Sequence, residues 1–326
     1  MAKLNELYQK ELHVVNFGVE AFYQDLLSQN KKAVHVNWKP AAGGDPKLAA
    51  MLRKLHSGEM GEKIAAANAE ALTRILNAQP TLIGLGTAGE LLPGMTKKTI
   101  LHAGPPITWD RMSGPVRGAI MGGLIYEGLA KDLKEAEELA ASGEITFDPC
   151  HHHNAVGPMA GVVTYSMPVW RMKNKAFGNE AYCTFNEGLG KVLRFGACDQ
   201  EVIDRLNWLA SGLYPVLRAA LELIGEIDIK TMIAQILQMG DEGHNRNKAG
   251  TSLLFRELTL GVLETDFSNQ EKEAALRFLN NNDHTFLNIS MPACKCTMDA
   301  IQGIPYSTVA VSYTHLRAHE TLRHLV

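Results

Sequence analysis

The stretch TLIGLGTAGELLPGMTKKTILHAG, residues 81–104, decides the fold class of this 326-residue chain. Residues 81–86 and 99–103 are short apolar runs bounded by glycine or proline, and each predicts a buried strand. Upstream of them, residues 46–56 carry helical spacing, and Asp45 is placed to cap that helix. Strands that alternate with helices in this way are typical of an α/β layer.

The remainder of the chain divides by pattern into a β-rich part and a helical part. Residues 145–197 are rich in glycine and short apolar runs, whereas residues 199–301 carry helical spacing almost throughout. We therefore predict a multidomain fold of the α+β or α/β class, with N-terminal α/β layers, a β-rich middle and an all-helical C-terminal segment. The predicted parts are an α/β domain at 1–145, a β-rich segment at 146–198 that packs with the first domain or forms a second α+β domain, and a helical domain at 199–310.

Composition and charge restrict the partners of the chain. Apolar residues make up 46% and charged residues 21%, as in ordinary globular proteins. The formal net charge of -3 gives no electrostatic reason to bind nucleic acid or an anionic membrane surface. The five cysteines form no even disulfide framework, the N-terminus has no apolar signal core, and no run of about 18 uncharged apolar residues occurs. We expect a soluble, cytoplasmic protein that binds neither nucleic acid nor membrane.

Residues 311–326, VSYTHLRAHETLRHLV, differ in character from the rest of the chain. Three histidines (His315, His319 and His324) lie close together in a segment that shows neither strand nor helix periodicity. The string resembles a translated transposon-type sequencing adapter. We therefore expect this segment to be non-native, exclude its histidines as ligands, and expect the natural protein to continue past Ala310.

Four loops hold most of the candidate functional side chains. Each combines polar or charged residues with glycine or proline at the end of a predicted element, and loops of this kind commonly bind ligands. They are HAGPPITWDRM (residues 102–112), PCHHHNAVGPM (149–159), NEGLGKVLRFGA (186–197) and MGDEGHNRN (239–247).

The histidine triplet at residues 151–153 is compatible with a metal site and with a substrate-binding site. On an extended chain adjacent side chains point to opposite faces, so only His151 and His153 would share a ligand. Glu242 and His244 would complete a metal set, but no motif of fixed spacing such as HExxH supports it. A divalent metal is left open, and no cofactor is assigned.

The apolar run VLRFG, residues 192–196, predicts a short strand at residues 192–195, and Arg194 places a positive charge inside it. Its planar guanidinium suits a carboxylate or phosphate ligand, and an internal ion pair with Glu187 or Asp199 is the alternative. Three loop glycines are further candidates because their backbone N–H groups could bind an anion: Gly104, Gly188 and Gly190.

Taken in chain order, these loops resemble the motifs of one bacterial family. NWKPAAGGD, LHAGPPITWDRMSGP, FDPCHHHNAVGPMAGV, NEGLGKVLRFGA and MGDEGHNRNKAG, between residues 37 and 250, are similar to the YlbE-like family, which includes the AllG subunit of oxamate carbamoyltransferase. The resemblance covers residues 1–310. Members of the family are longer and have a further C-terminal α/β portion.

The resemblance implies a role in anaerobic allantoin and purine nitrogen catabolism. The implied reaction converts oxalurate and phosphate into oxamate and carbamoyl phosphate, so the ligands would be small anions. The implied partners are an FdrA-like subunit with acyl-CoA-synthetase-type domains and a third operon-encoded subunit. Paralogues in other operons leave the substrate open.

No catalytic residues are carried over from the family, so the expected roles follow from the chemistry. Carbamoyl transfer requires anion sites and hydrogen-bond donors that face a carbonyl oxygen as negative charge develops there. We expect the anions to be bound by Arg194 and Arg246, with His244. The carbonyl would be polarised, or a proton moved, by His151 or His153, with His102 as a second candidate. These groups would be oriented by Glu187 or Glu242.

Two other functions stay open at this point. A non-catalytic scaffold subunit would complete an interface with the FdrA-like partner, and its four loops would spread over a flat apolar surface. A metal-dependent hydrolase of an amide or ureide would use His151, His153, Glu242 and His244 as its metal-binding residues.

Overall fold

The computed structural model describes residues 13–36, 43, 45–157, 161–186, 189–193, 196–239 and 243–309, and for residues 243–246 it describes the backbone only. Contacts between residues divide the chain into two units, Met1–Ala65 and Ala66–Val326. This division lies inside a long helix, where the sequence indicated no boundary. The boundaries predicted at residues 145 and 198, and the origin of residues 311–326, stay predictions.

The first unit is built from two strands with a helix between them. Its elements are β1 (His13–Phe17), α1 (Glu20–Ser28), β2 (Lys32–Val36), α2 (Pro46–Leu55) and the first part of α3 (Gly58–Asn77). The two strands are parallel, with His13 opposite Lys32, as a helical crossover requires. Asp45 Oδ1 accepts hydrogen bonds from the backbone N–H groups of Lys47 and Leu48, at 2.7 and 3.2 Å. The predicted helix cap is therefore confirmed.

The described strands of the second unit form two small sheets. They are β3 (Pro80–Thr87), β4 (Thr99–His102), β5 (Thr146–Pro149), β6 (Val162–Val163), β7 (Pro168–Asn174), β8 (Glu180–Thr184) and β9 (Ile227–Asp228). One sheet has the order β8-β7-β3-β9, with antiparallel neighbours. The other has the order β5-β4-β6, in which β4 is parallel to β5 and antiparallel to β6. Strands of the predicted β-rich segment thus pair with β3 and β4, which precede it in the chain.

Helices cover these sheets and form most of the second half of the chain. They are α4 (Ala88–Leu91), α5 (Gly114–Tyr126), α6 (Leu133–Ala141), α7 (Gln200–Trp208), α8 (Tyr214–Ile224), α9 (Ile229–Gln238), α10 (Gly243–Glu264), α11 (Asn269–Asn281) and α12 (Leu287–Asp299). The core of the unit includes Trp170 and Met172 of β7 and Leu217 of α8, all fully buried. Burial of side chains of this size stabilises a fold by about 1.5–3 kcal/mol each.

The predicted fold class is confirmed, because the chain mixes small sheets with helices and its second half is helical. The prediction of a strand at residues 192–195 is wrong at the described positions, Val192 and Leu193. Leu193 lies in a helical turn, and the backbone N–H of Gly196 donates to the Leu193 carbonyl at 2.7 Å. Gly196 has a φ of +77°, which turns the chain where a strand would continue. Arg194 and Phe195 lie outside the described residues.

Candidate functional site

The carboxyl ends of two parallel strands bring two of the predicted loops together. β4 ends at His102 and β5 at Pro149, and these residues are paired in the register of the sheet. On the other side of β4, Val162 of β6 lies opposite His102. Ligands of α/β proteins commonly bind beyond the carboxyl ends of parallel strands. We call this region the β4–β5 edge and define it as His102, Asp148 and residues 150–153.

The histidine triplet forms one turn of 3-10 helix directly after β5. This turn comprises Cys150–His153 and is followed by Asn154, whose φ of 55° is left-handed. The backbone N–H of Ala155 then donates to the Cys150 carbonyl at 2.9 Å and closes the turn. Asparagine tolerates the left-handed region better than most residues, so the sequence permits the helix to end there.

This helical geometry changes which histidines lie together. Nδ1 of His152 lies 2.9 Å from Oδ1 of Asp148, and Nε2 of His153 lies 2.7 Å from Oδ2 of the same carboxylate. The expected extended triplet, with His151 and His153 sharing a ligand, is therefore wrong. His151 instead packs its ring edge-on against His152, with the ring centroids 4.4 Å apart.

His153 is held at both of its ring nitrogens. Its Nδ1 lies 2.5 Å from the Pro93 carbonyl oxygen, and its Nε2 lies against Asp148. The ring of His153 is therefore held between the Pro93 carbonyl and the Asp148 carboxylate, and it fixes the position of that carboxylate.

Asp148 is a member of the edge that sequence reasoning missed. Burial raises the pKa of its carboxyl, but hydrogen bonds from His152 and His153 outweigh burial and hold the pKa below its usual value. The signal that could have found it is the string FDPCHHH, in which an aspartate at the end of a predicted strand precedes three histidines. A helical turn after that strand brings such neighbours together.

His102 differs from the triplet because it is almost fully buried, with 1% of its surface exposed. Its Nδ1 lies 3.0 Å from the carbonyl oxygen of Ala103, and no described residue hydrogen-bonds to its Nε2. Burial lowers the pKa of the ring, and the charge of His152 lowers it further. The Ala103 carbonyl and the Asp148 charge oppose this shift without cancelling it. The ring of His102 is therefore neutral near pH 7.

Cys150, at the start of the same turn, is not poised as a nucleophile. Burial raises the pKa of its thiol to about 12, so the thiolate is scarce at neutral pH. Its neighbours are apolar, and Val163 of β6 and Tyr182 of β8 belong to the same buried cluster. We interpret Cys150 as a core residue beneath the histidine turn.

The loop after β4 is attached to the elements on either side of it. Arg117 of α5 donates from Nε to the Trp109 carbonyl at 3.1 Å and from Nη2 to the Asp110 carbonyl at 2.8 Å. Its guanidinium lies 5.3 Å from the centroid of the Trp109 ring, and that ring stacks on Phe147 of β5 at 6.1 Å. Gly104 begins the loop with a φ of +93°. The loop is thus held against β5, close to the histidine turn.

The other predicted site residues are only partly within the described chain. Gly190 lies in an exposed turn with a φ of +73°. Asp199, one alternative ion-pair partner of Arg194, forms an ion pair with Lys191 and caps α7. The following candidates lie outside the described residues, or have only their backbone described in α10, and their roles stay predictions: Glu187, Gly188, Arg194, Glu242, His244 and Arg246.

The described residues contain no group of three or more His, Cys, Asp or Glu that could hold a metal ion. Because Glu242 and the side chain of His244 lie outside that description, the predicted four-residue metal set is not tested. Within the same described residues, no helix is long and apolar enough to cross a membrane.

A surface groove of about 450 Å³ lies along α10 and α11, lined among others by Phe255, Lys272 and Leu276. It contains none of the predicted site residues. We therefore take the β4–β5 edge, where two of the predicted loops meet, as the candidate functional site.

The fold and this edge define a mixed α+β protein with a histidine–carboxylate cluster at the end of a parallel strand pair. Residues 145–316 match the family model described as oxamate carbamoyltransferase subunit AllG. The match covers more than half of the chain, begins just before β5 and extends a few residues into the segment that resembles an adapter. The chain belongs to the AllG family.

Two curated proteins of Escherichia coli strain K12 are similar to the chain. Uncharacterized protein YahG is 48% identical over 306 residues, which are 94% of this chain and 65% of YahG. Oxamate carbamoyltransferase subunit AllG is 42% identical over 257 residues, which are 78% of this chain and 61% of AllG. The chain thus spans less than two thirds of the length of either relative.

A solved structure is also similar to the chain. It is the crystal structure of a conserved protein of unknown function from Enterococcus faecalis V583, with a TM-score of 0.75 and 47% sequence identity. The similarity covers 77% of this chain and 60% of that one. It supports the mixed α+β architecture described above.

Proposed function

We propose that this chain is a subunit of an oxamate carbamoyltransferase-type complex. The reaction would be the phosphorolysis of oxalurate to oxamate and carbamoyl phosphate in allantoin and purine nitrogen catabolism. The observation that carries the proposal is the AllG family match, whose range contains Asp148 and the whole histidine turn. The proposed partners are an FdrA-like subunit and a third subunit of the complex.

The chemistry of the β4–β5 edge suits this reaction. Oxalurate, phosphate and carbamoyl phosphate are anions, and negative charge develops on the carbonyl oxygen during transfer, so a site for them needs oriented hydrogen-bond donors. His152 is such a donor when both of its ring nitrogens carry protons, because Asp148 accepts from Nδ1, Nε2–H is then left for substrate, and 45% of the side chain is exposed. Since both nitrogens of His153 are already engaged, we assign it the positioning of Asp148 and give carbonyl polarisation to His152, with His151 beside it.

The anion-binding part of the proposal rests on Arg194 and Arg246, with Glu187, Glu242 and His244 near them in sequence. Support for Arg194 comes from Gly196, two residues away in the chain. A Cβ atom added to Gly118 of α5 would lie 2.5 Å from the carbonyl oxygen of Gly196, so α5 packs directly on Gly196. α5 begins where the loop after β4 ends. The helix that packs on Gly196 is therefore connected in the chain to the β4–β5 edge.

The test is phosphorolysis of oxalurate by the full-length protein co-expressed with the two partner subunits, followed as carbamoyl phosphate formed. Arg194→Ala is compared with wild type and with Arg256→Ala. Arg256 is the matched control, because it lies on α10 with 75% of its side chain exposed and pairs only with its neighbour Glu257 among the described residues. We expect Arg194→Ala to lower kcat/KM by about 10²–10³-fold, since an anion-stabilising donor is lost, and Arg256→Ala to have little effect.

Each outcome has a separate meaning. An active wild-type complex that is impaired by Arg194→Ala, with unchanged complex assembly and thermal unfolding, supports the proposal. Full activity in the Arg194→Ala complex would show that anion binding does not depend on Arg194, and it would favour the non-catalytic scaffold alternative. A wild-type complex that assembles and forms no carbamoyl phosphate overturns the reaction, as expected for a paralogue with another ureide or amide substrate.

A further inference from the structure

The Nε2 atom of His102 is a buried polar atom without a hydrogen-bond partner among the described residues. The residue is 1% exposed, so it lies away from the bulk solvent. A buried polar atom without a partner costs a protein about 1–3 kcal/mol, and such atoms are rare in folded proteins. The position of this atom is therefore informative.

The contact of Nδ1, the other ring nitrogen of His102, determines which nitrogen carries the proton in the neutral ring. Nδ1 of His102 lies 3.0 Å from the carbonyl oxygen of Ala103, which can only accept. The proton of the neutral ring is therefore on Nδ1, and Nε2 carries a lone pair. A ring in this tautomer can take a proton from a ligand, whereas the opposite tautomer could only donate one.

The surroundings fix this ring in place. In the register of the sheet His102 lies between Pro149 of β5 and Val162 of β6, and the N–H of Ala103 donates to the Gly161 carbonyl at 3.2 Å. The ionisable groups that act on the ring are Asp148 and His152, both members of the β4–β5 edge. His102 is thus a fixed, neutral base beside the groups already assigned to substrate.

We propose that Nε2 of His102 is the proton-transfer site of the phosphorolysis. It would accept the hydroxyl proton of hydrogen phosphate and return that proton to the departing amide nitrogen of oxamate. This inference rests on the proposed function and names a catalytic residue for it. Transfer occurs within hydrogen-bond reach of the substrate, directly or through one water molecule.

The step balances with one ring and no further reactant. A phosphate oxygen forms a bond to the ureido carbon of oxalurate as its proton passes to Nε2. The bond from that carbon to the amide nitrogen breaks, the electron pair goes to the nitrogen, and the proton on Nε2 follows it. The products are carbamoyl phosphate and oxamate, the total charge is unchanged, and His102 ends neutral as it began.

The experiment compares wild type, His102→Asn and His102→Gln in the full-length, three-subunit complex. Asparagine can keep a donor toward the Ala103 carbonyl but has no second nitrogen that binds a proton, and glutamine places a non-titrating amide near the position of Nε2. The control is His284→Asn, because His284 is half-buried in the turn before α12 and belongs to neither the edge nor the four loops. The values measured are kcat and the KM for oxalurate and phosphate, as functions of pH.

We expect both His102 variants to lower kcat by about 10²–10⁴-fold with little change in either KM. The wild-type rate should fall as pH decreases through the lowered pKa of His102, where the ring becomes protonated, and this acid limb should vanish in the variants. A purely structural role would lower the unfolding temperature or raise KM without removing the acid limb. The control should keep the wild-type rate and profile.

A measurement on the wild type alone guards against variants that fail to fold. Hydrogen–deuterium exchange at C2 of the histidine rings, followed by mass spectrometry, gives the titration midpoint of His102 directly. A midpoint that matches the acid limb of kcat supports the inference, and one that differs from it by more than about one pH unit overturns it. If the wild type is active and His102→Asn has the same pH profile of kcat, only this inference is overturned. If the wild type is inactive, the proposed function is overturned.

Discussion

Nε2 of His153 lies 2.7 Å from Oδ2 of Asp148, and this contact organises the β4–β5 edge. The carboxylate is shared, because its other oxygen accepts a hydrogen bond from His152 at 2.9 Å. Asp148 therefore fixes the positions of two histidines. His153 is buried and is also held by the backbone, whereas His152 reaches solvent. Any change to Asp148 should alter both stability and ligand binding.

We first predict that Asp148→Asn destabilises the protein by about 1–3 kcal/mol. Asparagine can accept a hydrogen bond at only one of the two positions, and its amide N–H groups would face the N–H group of the other histidine. The partial exposure of Asp148, 33% of its side chain, keeps the cost below that of a fully buried ion pair. Urea unfolding followed by circular dichroism measures the change.

Asp266→Asn is the control for this substitution, because Asp266 is exposed and has no hydrogen bond or ion pair among the described residues. Its effect should stay within about 0.5 kcal/mol. Equal stability of the two variants would show that the contacts of Asp148 with His152 and His153 contribute nothing measurable.

A second prediction concerns pH. The pKa of His102 is lowered in the folded protein, chiefly by burial, with His152 reinforcing and Asp148 opposing the shift. A group with a lowered folded pKa contributes stability that is fully present above its unfolded pKa, about 6.5, and is lost as pH falls through the folded pKa. The free energy of unfolding of the wild type should therefore decrease relative to that of His102→Asn between about pH 7 and pH 5. A difference between the two proteins that is constant over this range would contradict the burial of a neutral ring.

The third prediction is that the thiol of Cys150 neither reacts with an alkylating reagent in the native protein nor takes part in catalysis. Burial raises the pKa of its thiol to about 12, whereas Cys294 lies exposed on α12. Iodoacetamide should modify Cys294 in the native protein and Cys150 only after unfolding in urea, as peptide mass spectrometry would show. Cys150→Ala should keep kcat within about three-fold of wild type, because no thiolate takes part. Rapid native labelling of Cys150 together with loss of activity in Cys150→Ala would restore it as a nucleophile.

Local signals in the sequence predicted much of the secondary structure. The apolar run in β3, the helical spacing of α2 and the cap at Asp45 each depend on residues within a few positions of one another. The pairing of β3 with β7 was not predictable in the same way, because it joins residues about ninety positions apart. Strand periodicity alone does not choose such partners.

The candidate site illustrates the same limit. The sequence singled out His102, His151 and His153, but it treated the triplet as extended. Whether that run is extended or helical depends on the left-handed Asn154 and on the contact of His153 with the distant Pro93 carbonyl. Asp148 and His152 were missed for this reason, since only the helical turn brings them together.

The fourth prediction tests the packing between α5 and Gly196. Glycine to alanine in a helix normally stabilises it by up to about 1 kcal/mol, because alanine loses less backbone entropy. At Gly118 the added Cβ would lie 2.5 Å from the carbonyl oxygen and 2.8 Å from Cα of Gly196, which are backbone atoms that cannot rotate away. Gly118→Ala should therefore destabilise the protein by about 1–3 kcal/mol in urea unfolding.

Gly114→Ala at the start of the same helix is the matched control, because nothing lies within 4 Å of its added Cβ and a neutral or stabilising effect is expected. If the contact between α5 and Gly196 also positions the nearby Arg194 for phosphate, Gly118→Ala should raise the KM for phosphate in the assembled complex, while Gly114→Ala should not. A destabilised Gly118→Ala complex with an unchanged KM for phosphate would separate this packing contact from anion binding and remove the support that it gives to Arg194.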